Sequence, residues 1–308
     1  MIGEGSEPES RQVTQRAAAC PVEALLVAAL AAVLAPALGG AAWRDTARYA
    51  GVGSFAGVPS ATGEPAVSVA TSRAQSPRPG AFAGVEWRFV RIKYHYEIDE
   101  TRYSFADFGE PWAIDGPAAE DNLSRRVAAV TAITVGEPLV LELTDKRLWD
   151  HPWIYFVEPG NLCLTDEDAG ILREFLLRGG TAYFDDFHGP IEWDRLASEM
   201  ARVFPGRRIV DLEPPHPVYS CFYKLDGYPQ VPGLGSFMEG RTWEKGGFDA
   251  ALRTILDDDG RPMVFINWNT DMGDGWEWSN AKAYPGYVKH TADAYRMTIN
   301  EIVYALTH

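Results

Sequence analysis

Asp185, Asp186 and His188 stand within four residues of one another, after the strand-like run Thr181–Phe184 and before a helix-like run from Ile191 to Phe204. Two carboxylates and an imidazole are hard-to-borderline donors. With a fourth group they could hold a divalent metal that activates water, or divide acid and base roles between them. The same residues have a plain structural use, since an aspartate there can cap the following helix and bond neighbouring backbone. The spacing leaves structural, ligand-binding and catalytic readings open, with Phe187 and His188 placed to touch a ligand.

A second group follows the strand-like run Pro262–Asn267. Asn267, Asn269, Asp271, Asp274 and Glu277 place oxygen donors at near-alternate positions, as a calcium loop does. The strict points fail, because Met272 stands where the turn needs glycine and Glu277 falls one residue early. A polar loop rimming a site is the better expectation. If Trp276-Glu277-Trp278 is a strand, the indoles share one face and Glu277 takes the other, which makes Glu277 a further acid–base candidate and Trp276 a ligand-contact candidate. His216, in the proline-rich segment Glu213–Pro217, is a candidate to converge on the same edge.

A thiol or serine nucleophile is missing from these places. The chain has no G-x-S-x-G or G-x-C-x-G, and Cys163 lies on an earlier loop. Cys163 and Cys221 could pair in an oxidising compartment or stay as separate thiols. His95, His151, His290 and His308 are isolated and read as solvated or hydrogen-bonded side chains.

The elements that must position these groups alternate between two periods. Glu86–Tyr94 alternates apolar and polar residues like a half-exposed strand, and Leu139–Leu143, Trp153–Val157, Thr181–Phe184, Arg208–Leu212 and Pro262–Asn267 are short strand candidates. Helical spacing appears in Ala118–Ile133, in Thr165–Arg178 with Thr165 and Asp168 as a capping box, and in Ile191–Phe204. It recurs near Phe248–Leu256 and over Val288–Leu306. Strands alternating with amphipathic helices predict an α/β domain with a mostly parallel sheet covered on both faces. Ligands of such sheets bind beyond the carboxyl ends of the strands, where Asp185–Gly189 and the Asn267–Glu277 loop fall.

The run LTDEDAGILREFLLRGGTAYFDDFHG (Leu164–Gly189), the segment Glu213–Tyr219 and NWNTDMGDGWEW (Asn267–Trp278) before Tyr304-Ala305-Leu306-Thr307 resemble the bacterial domain-of-unknown-function 4159 family over Phe89–Thr307. That family resembles class I glutamine-amidotransferase-like proteins, including the trehalose-utilisation type. The resemblance implies a flavodoxin-like three-layer sandwich and no assigned reaction. In amidotransferases the turn matching Asp185–Gly189 carries the nucleophilic cysteine, so its absence implies that this chain does not hydrolyse glutamine. Relatives also resemble segments of membrane-anchored von Willebrand-type proteins encoded beside AAA ATPases, which implies a partner in a membrane-associated complex.

Composition narrows the rest. With 28 Lys and Arg against 43 Asp and Glu, the chain has a formal net charge of −15, which disfavours a phosphate backbone as partner. No cofactor is expected, with a divalent metal left open. Residues 1–42 contain the uncharged run Ala24–Ala35 after Arg11 and Arg16, followed by small residues, the pattern of an export signal or an N-terminal membrane anchor. Residues 43–83, rich in Ala, Gly, Ser and Pro, read as a flexible linker. Residues 84–308 suffice for one domain. The expectation is therefore an exported, periplasmic or membrane-tethered module that binds a ligand or protein, with a metal-assisted hydrolase as the alternative.

Overall fold

Trp153–Val157 (WIYFV) has no polar interruption, which is the pattern of a parallel strand covered on both faces. In the computed structural model, which describes residues 86–97 and 109–308, it forms a fully buried strand, β3, between β1 (Val90–Ile92) and β4 (Thr181–Phe187). The sheet has seven strands in the order β2-β1-β3-β4-β7-β6-β5. β2 (Leu139–Leu141), β1, β3, β4 and β7 (Val264–Trp268) are parallel, whereas β6 (Ala251–Ile255) runs antiparallel to both β7 and β5 (Ile209–Asp211).

Alternation along β3 feeds two cores. Ile154 and Phe156 pack with Phe184, with Leu172 and Phe175 of α2 (Asp166–Leu177), and with Leu196 and Met200 of α3 (Gly189–Val203). Trp153, Tyr155 and Val157 face the other way, onto Leu123 and Val127 of α1 (Ala118–Val130), Trp276, and Ile299 and Ile302 of the C-terminal helix. Besides two short helices, α4 (Leu234–Met238) and α5 (Met272–Glu277), the chain closes with α6 (Val288–Thr307). The result is a three-layer α/β arrangement with a mostly parallel sheet. The start of α2 follows its sequence signature: the Thr165 side chain accepts from the Asp168 amide at 3.0 Å, and the Asp168 carboxylate accepts from the Thr165 amide at 3.1 Å.

Three local expectations need correction, and one open alternative is decided. The helix expected near Phe248–Leu256 is strand β6, because the Asp257–Gly260 turn folds it back as a hairpin onto β7 and Arg253 stacks 4.2 Å from the rings of Trp193 and Trp268. Trp276-Glu277-Trp278 is not a strand: it ends α5 and begins a 3-10 turn. β1 is a buried strand rather than a half-exposed one, and its Arg91 is buried in an ion pair with Glu120 of α1. Cys221 is a free thiol, so it does not pair with Cys163. The export-signal, anchor and linker readings fall on residues outside those described. Among the described residues no helix is long and apolar enough to cross a membrane.

Candidate cation site at the carboxyl edge of the sheet

Three neighbouring parallel strands end on a non-glycine residue with left-handed backbone: Glu158 (φ 49) after β3, Asp186 (φ 57) in the last turn of β4, and Asn269 (φ 61) after β7. Each conformation is disfavoured for a residue with Cβ and persists only where surroundings over-determine it. At β4 the cause is a bulge, since the register against β7 shifts between Phe184 and Phe187. At β7, Asn269 accepts from the Gly189 amide at 2.8 Å and donates to the Asp249 carbonyl at 2.7 Å.

The bulge sends the adjacent aspartates to different tasks. Asp185 is fully buried and accepts from the amides of Met272 (3.1 Å) and Gly273 (2.8 Å) and from the Tyr155 hydroxyl (3.3 Å). It thus ties β4 to the first turn of α5. Burial nonetheless raises its pKa to about 7, against the pull of those hydrogen bonds. Asp186 meets His188 instead, with Oδ1 3.3 Å from Nε2. Burial lowers the His188 pKa to about 4, so the ring is neutral near pH 7.

Around Asp186 the carboxylates fall into two corners. In the first, oxygens of Asp115, Asp271 and Asp274 lie within 4.8 Å of one another. Donors on opposite sides of a calcium ion, at about 2.4 Å from it, have about that separation. Asp271 is only 5% exposed, and Asp115 Oδ2 is buried without a hydrogen-bond partner. Asp271 Oδ1 accepts from the Asp274 amide (2.7 Å), while Asp274 accepts from the Leu234 amide (2.6 Å) and the Trp278 indole (2.9 Å). These bonds orient the carboxylates and leave lone pairs for a ligand. Glu277 borders this corner; burial and then the Asp274 charge raise its pKa to about 7.

In the second corner, the Lys245 ammonium lies 2.8 Å from Glu192 and 3.7 Å from Glu158. Burial pushes Asp115, Asp186, Asp271 and Glu158 well above the usual carboxylate range, and neighbouring carboxylates add to it. Lys245 opposes the rise for Asp186 and Glu158, and Arg91 for Asp115, whereas for Asp271 the charges of Asp186, Asp274, Asp115 and Asp185 all add to it. The first corner therefore gathers buried carboxyls whose ionised form an added cation would stabilise.

Several residues singled out in the sequence have other work. Asn267 donates to the Phe184 carbonyl and accepts from Tyr228, inside the core. Phe187 and Trp276 are fully buried core side chains, not a ligand platform. His216 accepts from the Val218 amide and packs 5.2 Å from the Tyr304 ring of α6, so it does not join Asp186 and His188. Asp115, Glu158, Glu192 and Lys245 were not anticipated. For Asp115 and Lys245 the sequence signal is turn chemistry, in Asp115-Gly116-Pro117 and Lys245-Gly246-Gly247.

An α/β domain with a mostly parallel sheet and a cluster of carboxylates at its carboxyl edge is the class that fold and site define. The chain belongs to the family described as domain of unknown function DUF4159, whose model matches residues 88–306. Comparison with curated proteins finds no match.

Proposed function

We propose that this domain is a binding module that takes up one hard divalent cation at Asp115, Asp271 and Asp274. The observation that carries it is the convergence of three carboxylates, within 4.8 Å of one another, in an acidic cluster whose chain-supplied ammonium lies in the other corner. Ionised buried carboxylates need a counter-charge. An all-oxygen donor set favours magnesium, calcium or manganese over softer metals. Asp271 and Asp186 are 5% and 7% exposed, an opening that suits an ion more than a large organic molecule.

The finer fold reading belongs to the same proposal. The parallel strands follow the order β2-β1-β3-β4-β7, which agrees with the 2-1-3-4-5 order of flavodoxin-like sheets. Asp186 takes left-handed backbone at the bulge near the end of the central strand β4, near where an amidotransferase would carry its cysteine. A carboxylate there supports an amidotransferase-like scaffold turned to binding rather than glutamine hydrolysis.

The test is isothermal titration of the chelator-dialysed full chain at pH 8 with magnesium, calcium or manganese. One equivalent of at least one cation is expected, lost in Asp271→Asn and in Asp274→Asn. The absence of binding for all three cations overturns the reading.

A further inference from the structure

β5 is an end strand of the sheet, so one of its two sides has no strand beside it. The Leu212 amide bonds to the Leu252 carbonyl, and in an antiparallel ladder alternate residues bond inward. With Val210 opposite Thr254, the main-chain groups of Val210 face β6, and those of Ile209 and Asp211 face away from the sheet. Such an edge is a template for another strand unless like charges or a cover close it. Val210 adds an apolar side chain that is 38% exposed. The flanks carry opposite charges, with Arg207 and Arg208 before the strand and Glu213 after it. Arg208 and Glu213 are exposed and form no ion pair among the described residues. Arg207 bonds to Asp258 (2.7 Å) and to the Leu256 carbonyl (2.8 Å) and has further N–H donors.

We propose that β5 pairs with β5 of a second copy of this chain, antiparallel about a twofold axis through Val210. In that register the outward groups of Ile209 exchange hydrogen bonds with those of the partner's Asp211. Val210 meets the partner's Val210 as the closer, non-bonded pair. Arg207 then falls opposite the partner's Glu213. Asp211 is already paired with Arg253 at 2.8 Å, so Glu213 is the acid left to meet that guanidinium. Each contact occurs twice, as an isologous interface requires. Met200 of α3, Ile209 and Ile255 line a groove of about 350 Å³ beside the edge. The twofold axis stands perpendicular to the sheet, so the partner's groove lies on the same face and the joined copies cover apolar surface as well as main chain. The axis also reverses strand direction, so the two carboxyl edges face opposite ways. This surface is independent of the cation reading.

The experiment is sedimentation equilibrium of the full chain in chelator, which keeps cation binding out of the result. Wild type is expected to show a monomer–dimer equilibrium. Val210→Lys sets two ammonium groups against each other at the axis, and Glu213→Arg sets like charge against Arg207. Each is expected to weaken dimerisation by on the order of tenfold, with unchanged far-UV circular dichroism. Arg207→Glu is expected to weaken it likewise. Mixing the Arg207→Glu and Glu213→Arg chains restores opposite charges at both ends of the pair, so the mixture is expected to regain wild-type association. That recovery separates a direct contact from a folding defect. A monomeric wild type overturns the proposal. So does a dimer that Val210→Lys and Glu213→Arg leave at wild-type strength, or a mixture that does not recover.

Discussion

At the scale of single residues, the chain buries acids that it does not neutralise. Glu301 of α6 is fully buried, and its oxygens lack a well-aligned donor, with the Tyr183 hydroxyl giving only partial relief. Burial raises its pKa, as it raises that of Asp185 to about 7. A carboxyl whose folded pKa exceeds its unfolded value makes the native state bind the proton more tightly, so stability falls as pH rises through the interval between the two. For Asp185 that interval runs from about pH 4 to 7 and corresponds to a loss on the order of 3–4 kcal/mol. Urea unfolding of the metal-free chain is therefore expected to show stability declining across this range. Glu301→Gln is expected to flatten the decline and to be the more stable protein at pH 8. A wild-type curve that rises with pH, or an unchanged slope in the variant, contradicts this.

At the scale of elements, the short helix α5 is the part that builds the first corner. Asp271 caps it, Asp274 lies in its first turn, and Asp185 holds the two amides between them. Gly273 sits inside this turn with ordinary helical backbone, where alanine would normally be favoured by about 1 kcal/mol. Here a methyl group would fall 2.2 Å from Asp115 Oδ2. Gly273→Ala is expected to push Asp115 out of the triad and weaken cation binding at least tenfold, while far-UV circular dichroism stays that of the wild type. Unchanged affinity would mean that Asp115 is not a ligand.

For the whole molecule, cation binding and folding are linked. A cation at 100 times its Kd stabilises the native state by about 2.7 kcal/mol. For a domain of this size, 1 kcal/mol moves Tm by about 2–4 °C. A chelator-sensitive rise of several degrees at pH 8 is expected, shrinking toward pH 5 as the carboxyls take up protons. A rise of equal size at both pH values would locate the stabilising ion elsewhere. The net charge of −15 acts in the same direction, since it raises the local concentration of cations over anionic partners.

Sequence alone determined the alternation of elements. WIYFV at β3, the Thr165–Asp168 capping box and the amphipathic stripe of α6 are local patterns whose physics is complete within a few residues. It also placed Asp185–Gly189 and the Asn267–Glu277 loop after β-strands at one edge of the sheet, because an open parallel sheet carries its loops there. It misread Ala251–Ile255 and Trp276–Trp278, since strand or helix is decided in those short segments by what they pack against. Only the tertiary structure separated Asp185 from Asp186, because the separation arises from a bulge against β7. Only the tertiary structure brought Asp115 to Asp271 and Asp274, and Lys245 to Glu158 and Glu192. Those contacts join residues far apart in the chain, and no spacing rule along a sequence encodes a convergence created by folding.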